Sequence, residues 1–290
     1  MRRQPSIQQQ HQQGAAENSV AVVHMLRPVQ ISSLGGMSIH VHGRDIGVQG
    51  WKSPRVYQLL SLIIAMGGKN IATHHICDAI YPDMEGDKGM QNLEFILRRL
   101  RQVMQPELGQ GIKATQVICL HQGKVSLNSD YCDVDIWQWN DLCAEARQLR
   151  MVAGDLSSAT ACEQQAALML SGRFLDGDDA FEAVGRHKLI WRERVCNWID
   201  ATIRHWRNDE LAGYDQMMML FEIWQNIDSS SERLCMQRMR VLLDDGYTVD
   251  AKRVYYAWVQ QIKAEYGFNP SQQAVALSNR ISKTLNNVIK

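Results

Sequence analysis

At 290 residues, 45% apolar and 21% charged, the chain has the make-up of a globular protein and enough material for two hydrophobic cores. Its 31 basic side chains balance its 31 acidic ones, which excludes a protein that coats nucleic acid by bulk charge. Residues 1–28 are net +2, residues 29–140 neutral and residues 141–290 net −2, so any DNA affinity has to come from a local patch.

The seven cysteines (Cys77, Cys119, Cys132, Cys143, Cys162, Cys196 and Cys235) are odd in number, dispersed, and form no Cys-x-x-Cys pair. That spacing argues against a zinc ribbon or a redox dithiol and for free thiols in a reducing cytoplasm. The longest apolar run, Leu59–Met66, falls far short of the roughly 20 residues of a membrane span. Arg2 and Arg3 are not followed by an apolar stretch, so no signal peptide is expected and the predicted location is cytoplasmic.

Residues 1–28 form a Gln-rich tail whose apolar content is too low to pack, and it is predicted to be disordered. From Val29 the pattern changes. VQISSL alternates, and GGMSIHVHGRDIGV reads as two short strands joined at the HGRD turn. Ser53-Pro54 is a helix start, with Ser as the cap and Pro at the first helical position; Gly67-Gly68 ends that helix. Thr73 is expected to cap a second helix running to Ile80, closed by Pro82. An acidic loop, PDMEGD, follows.

The third helix is predicted over KGMQNLEFILRRLRQVM, residues 88–104, stopped by Pro106. Leu93, Ile96, Leu97, Leu100 and Met104 fall on one face at packed-stripe spacing. The opposite face collects Lys88, Gln91, Phe95, Arg98 and Gln102, with Asn92 and Arg99 on its shoulder. Those residue types can read base edges: Arg suits guanine, Asn and Gln suit adenine, and an apolar ring suits the thymine methyl. VICLHQGKVSLN then reads as a hairpin around a Gln-Gly turn, with Lys124 just past its tip. Strands, three helices and a hairpin in that order describe a winged helix-turn-helix, whose third helix enters the major groove.

Arg98 and Gln91 point most squarely outward and are the expected base readers, supported by Lys88, Asn92 and Phe95. Arg99 and Arg101 flank the face, holding either phosphates or a salt bridge within the domain. His121 and Lys124 on the wing, and Lys52 and Arg55 at the first helix start, are either phosphate contacts or simple surface charge.

Beyond Tyr131 the strand signals vanish and the text is helical from Trp137 to the end. Gly213-Tyr214 and Gly246-Tyr247 open two similar segments offset by 33 residues, close to the tetratricopeptide period. Ser229–Glu232 contains a Ser-x-x-Glu capping box for the helix between them. Trp191, Trp198, Trp206, Met217–Met219 and Trp224 sit at helical spacings and read mostly as core. The fold class expected is therefore an α+β winged helix-turn-helix domain (29–136) followed by an all-α tetratricopeptide-like helical array (137–290).

These residues carry a family likeness. QNLEFILRRLRQVM resembles the recognition helix of OmpR/PhoB-type winged helices, with Arg99-Leu100-Arg101 at their Arg-Leu-Arg. GWKSPRVYQLLSLIIAMGG, HHICDAIYPD, LSGRFLDGDD and the stretch from SSSERL to EYGFNPS (265–271) are similar to bacterial regulators of the SARP type, in which a winged helix precedes a bacterial transcriptional activator domain. Tyr266 departs from the usual Leu. The resemblance spans roughly residues 29–281 and implies a sequence-specific DNA-binding activator. Double-stranded DNA is the implied partner, together with RNA polymerase, reached through the Asp83–Asp87 loop or the helical array, and a second protomer as a homodimer or in tandem on DNA.

No nucleophile elbow, phosphate loop or HExxH motif is present, so no enzyme and no cofactor are expected. The acidic loop does not fit a calcium loop of twelve residues, and Asp87 reads instead as the cap of the next helix. His74-His75 with Cys77 lacks a second ligand pair, so no metal site is expected. His187 beside Asp178 and Asp179 reads as a chance pairing. The competing reading is a non-catalytic adaptor working through the helical array, for which the neutrality of residues 29–140 is the best support.

Overall fold

A computed structural model of the chain describes residues 27–47, 51, 53–84, 86–177 and 182–288, with side chains to 284. The Gln-rich tail up to residue 26, Lys52, and the Asp178-Asp179 neighbours of His187 lie outside the described residues.

The first layer is a four-stranded sheet. Strands β1 (Val29–Ser32), β2 (Gly35–Gly36), β3 (Ser38–Val41) and β4 (Arg44–Asp45) come first in the chain. β3 pairs antiparallel with β1 and with β4 across the His42-Gly43 turn, as the HGRD motif predicts. Period-2 alternation sends Val29, Ile31, Ile39 and Val41 into the core. The far edge is filled by β8 (Cys132–Val134), which runs parallel to β1, so the sheet order is β4-β3-β1-β8. This corrects the expectation that strands end at Tyr131. Three residues paired to a partner a hundred positions away leave no periodic signal of their own.

Helix α1 (Pro54–Ala65) starts with Pro at its first position, but the Ser53 side chain makes no capping bond. Strand β5 (Ile71–Ala72) leads into α2 (Thr73–Ile80), whose cap position is Ala72; Thr73 is the first helical residue and is buried. Helix α3 runs Gly86–Leu108, longer than predicted at both ends. Asp87 is therefore inside the first turn, acting on the helix dipole rather than as a cap. Pro106 does not stop the helix. It lacks one N–H but leaves those of the next residues available, and buried Leu108 anchors the last turn before Gly109.

After α4 (Ala114–Val117), β6 (Ile118–His121) and β7 (Lys124–Leu127) form the predicted hairpin. Its tip, Gln122-Gly123, has positive φ at both residues (48° and 69°), the tight turn that a Gly at the second position admits. β5 adds to the other side of β7, giving a second sheet of order β5-β7-β6.

The remainder is a helical array: α5 (Asp135–Gln148) with a five-residue π turn (Leu149–Ala153), α6 (Leu156–Leu168), α7 (Glu182–Asp209), α8 (Tyr214–Ile227), α9 (Glu232–Asp244), α10 (Thr248–Tyr266) and α11 (Gln272–Val288). The two Gly-Tyr openings stand at the starts of α8 and α10, with the Tyr214 and Tyr247 rings 5.0 Å apart. The cap of α9 is Ser231, which accepts from the Leu234 amide; the box from Ser229 to Glu232 does not form, because Glu232 instead accepts from Ser271 at the start of α11. Trp206 and Trp224 are fully buried, and Trp139 lies edge-on between Trp191 and Trp198, 5.4 Å from each.

One apolar core runs from Val29 to Val241 without a break, and a smaller cluster ties α9 to α10 and α11. Between α6 and α7 the strand β9 (Phe174–Asp176) pairs parallel with β2. The Ser171 and Leu175 amides donate to the carbonyls of Leu34 and Ser33, and the Asp135 carboxylate accepts from both amides of Ser33 and Leu34 and from the Ser33 hydroxyl at 2.6 Å. The first sheet and the helical array are thus hydrogen-bonded to each other at their junction. No helix among the described residues is long and apolar enough to cross a membrane.

Candidate nucleic-acid interface

Helix α3 carries the two faces its sequence describes. Leu93, Ile96, Leu97, Leu100 and Met104 are buried against α1 and α2, while Lys88, Gln91, Phe95, Arg98 and Gln102 are exposed. The period of 3.6 residues separates them, since five apolar side chains claim one side and leave the polar set to solvent. Phe95 is 52% exposed, an apolar ring in the middle of the polar face.

The shoulder residues divide. Arg99 lies over the Phe95 ring, its guanidinium 4.7 Å from the centroid, a cation–π pair one helical turn apart. Asn92 is half-buried and its amide turns back to the Met84 sulfur at 3.0 Å, away from the open face. Arg101 is turned inward: its Nε and Nη2 donate to the Ile118 carbonyl at 3.0 and 2.7 Å, fastening the hairpin's first strand to the helix. Burial lowers its pKa from the ordinary value. Of the two duties its sequence position left open, phosphate contact or an ion pair within the domain, the geometry matches neither; Arg101 is a clamp on a backbone carbonyl.

Gln105, unremarked in the sequence, does a similar job. Its side chain donates to the carbonyls of Gly109 and Ile112 and accepts from the Ala114 amide at 2.8 Å, which shapes the loop between α3 and the hairpin. Only the side-chain amide's reach across the post-helix turn identifies it, and spacing rules are blind to that. A shallow hollow of about 550 Å³ results, lined by Glu94, Arg98, Gln102, Thr115 and Leu120 among others. Glu94 and Thr115 were also missed; both are exposed beside the predicted readers.

On the hairpin, His121 and Lys124 face each other across the turn as a cross-strand pair, and both are exposed. Arg55 is exposed at the start of α1, 5.5 Å from the Tyr81 ring. The structure therefore brings Lys88, Gln91, Phe95, Arg98, Arg99 and Gln102 onto one helix face, sets His121 and Lys124 on the following hairpin, and leaves Asn92 and Arg101 committed internally.

All seven cysteines are free thiols, four of them buried. His74 and His75 are exposed while Cys77 is buried on another side of α2, and no metal-ligating cluster forms among the described residues.

Comparison with known proteins places these observations. Residues 134–282 match the family model of the bacterial transcriptional activator domain. No curated protein matches the chain by sequence. Among solved structures, Mycobacterium tuberculosis EmbR in complex with a low-affinity phosphopeptide has a similar fold, with a TM-score of 0.62 at 15% identity. The match covers 89% of this chain and 66% of that one, so the chain spans just under two thirds of its length.

Proposed function

The chain belongs to the bacterial transcriptional activator domain family, as the SARP-type resemblance implied, and from that membership we propose that it is a sequence-specific DNA-binding activator. In this reading residues 29–136 act as a winged helix-turn-helix, with α3 entering the major groove and the β6–β7 hairpin as the wing. Arg98 and Gln91 read base edges; Lys88, Phe95 and Gln102 support them. His121, Lys124, Arg55 and Lys52 lie against the phosphates. Residues 137–290 form the helical unit that contacts polymerase, with the Asp83–Asp87 loop as a second polymerase contact, and protomers sit on DNA as a dimer or in tandem.

One observation carries the reading. The exposed face of α3 holds Gln91, Phe95, Arg98 and Gln102 over the same length as its buried stripe, in the third of three helices and beside a hairpin with a cationic tip. A solvated helix face does not need a half-exposed Phe at its centre.

Selection of bound fragments from a genomic library by the full chain, at several salt concentrations, tests it. The expected outcome is a defined site and binding that weakens steeply with salt, because phosphate contacts release counterions. Arg98→Ala should relax preference at one base pair by about 1–3 kcal/mol. If Arg98→Ala and Gln91→Ala both keep wild-type affinity and preference, the docking is wrong. The neutrality of residues 29–140 favours the adaptor reading. Flat or absent binding to fragments, with a stable protein complex recovered instead, would establish it.

A further inference from the structure

A cavity of about 480 Å³ opens between β9, α7, the α8–α9 turn and the end of α10. It lies on the helical array, away from α3, and nothing in the proposed DNA contact uses it. Its size is that of a small-molecule site.

Its lining is amphipathic in an organised way. One side is apolar: Phe174, Trp191 and Ile227 form the wall, while Leu189 (56% exposed) and Tyr266 (54% exposed) stand at the rim. An exposed leucine and an exposed tyrosine at the mouth of one pocket are apolar surface without cover in the folded chain. The other side is cationic. Arg173, Lys188 and Arg192 all line the cavity, and neither Arg173 nor Arg192 has an ion-pair partner among the described residues.

Two acids also line it, and each is partly occupied. Asp228 accepts from the Ser230 hydroxyl at 3.0 Å, and Glu265 accepts from Gln261 at 3.0 Å. Gln261 Nε2 also donates to the Ser229 hydroxyl at 2.7 Å. Because that hydroxyl is the acceptor in this bond, its own proton remains to be donated, and Ser229 is part of the lining. Two planar guanidiniums and a hydroxyl donor match the oxygens of an acid group, and the leucine, tyrosine and tryptophan match an apolar body.

The cavity's position matters as well. Its wall includes Leu170, Gly172, Arg173 and Phe174, and the neighbours Ser171 and Leu175 are the residues whose amides bond to Leu34 and Ser33 in the turn that follows β1. Whatever fills the cavity presses on the segment that joins the sheet to the helical array.

We propose that this cavity is an effector site for a small organic anion, an acid group on an apolar body, whose binding stiffens the strand pair β2–β9. The proposal stands whether or not α3 binds DNA.

The test uses the full chain and 8-anilinonaphthalene-1-sulfonate, an aromatic sulfonate, with neutral N-phenyl-1-naphthylamine as its uncharged counterpart. One saturable sulfonate site is expected. Arg173→Ala with Arg192→Ala should weaken the sulfonate about tenfold or more and leave the neutral probe within about twofold. Leu189→Asp should weaken both. Competition on the wild-type chain avoids any folding defect of the variants: octanoate and octyl phosphate should displace the sulfonate at far lower concentration than octanol, and the stronger of the two identifies carboxylate or phosphate as the acid group. Equal competition by octanol, unchanged sulfonate affinity in the folded double variant, or many weak sites would overturn the anion site. With the sulfonate bound, the Ser171 and Leu175 amides should exchange more slowly; unchanged exchange would overturn its role as an effector.

Discussion

Arg98 and Arg101 stand three residues apart in the same cationic run, yet Arg98 is exposed while Arg101 is turned onto a backbone carbonyl, and a pair of substitutions separates the two. Arg101 spends two N–H groups on the carbonyl of Ile118, a fully buried residue that starts the hairpin. Arg101→Met keeps the apolar stem and removes both donors. A hydrogen bond from a charged donor contributes about 1.5–3 kcal/mol, and the two share one acceptor, so a loss of about 2 kcal/mol is expected. In a chain of this size that lowers Tm by roughly 4–8 °C, provided the hairpin unfolds with the rest. Arg98 is exposed, and Arg98→Met should stay within about 0.5 kcal/mol of wild type. In DNA-binding assays the order reverses: Arg98→Met relaxes preference at one position, whereas Arg101→Met weakens all sequences alike by loosening the hairpin. Calorimetry and fragment selection on the two variants measure both arms. An Arg101→Met protein that melts normally but loses preference at one base pair would refute the clamp.

Three further outcomes follow from the packing. Glu163 is buried and accepts from Arg150 at 2.9 Å, the Trp206 indole at 2.8 Å and His205 at 3.2 Å, while Arg150 also pairs with Asp209. Glu163→Ala should therefore cost about 3–5 kcal/mol in urea unfolding, and a cost below about 1 kcal/mol would mean that the network is solvated. At Gly35 (φ 145°) an added Cβ would meet the Ser171 hydroxyl at 2.5 Å, so Gly35→Ala should cost about 1–3 kcal/mol and speed amide exchange at Ser171 and Leu175. Burial pushes the Cys132 and Cys235 thiols up to about 12 and Cys196 to about 11, so folding favours their protonated forms. Their contribution to stability is intact below the ordinary value of about 9 and is lost as pH rises from there to about 12. Denaturation at stepped pH should show that decline, and Cys132→Ala should flatten part of it; an unchanged slope would count against the burial of that thiol.

What the sequence could and could not disclose follows from the range of the interactions. The two faces of α3 were legible because a helix writes its burial into a local period, and every residue assigned to the outer face is exposed. Its ends were not, since Leu108 continues the helix past Pro106 by packing that no local rule contains. β5, β8 and β9 are two or three residues long, and their partners lie some 50 to 140 positions away; so short a run cannot show alternation. Capping failed for the same reason. Glu232 bonds to Ser271, a tertiary partner that outbids the local one, and Ser53 makes no capping bond. Arg101 could have been suspected, since it follows buried Leu100 on the shoulder of the stripe, but the carbonyl it reaches lies seventeen residues on.

These long-range contacts gather at the junction between the first sheet and the helical array. The family match begins at residue 134, within β8, yet that strand completes the sheet whose other members are β1, β3 and β4. Asp135, the first residue of α5, holds the turn after β1, and β9 on the far side of α6 pairs with β2. Helix α1, against which α3 packs, in turn touches α7. A change in the α6–α7 segment thus reaches α3 along two routes: through the first sheet and through α1. Among the described residues both routes run through packed elements, so coupling along them needs only a small shift of those elements.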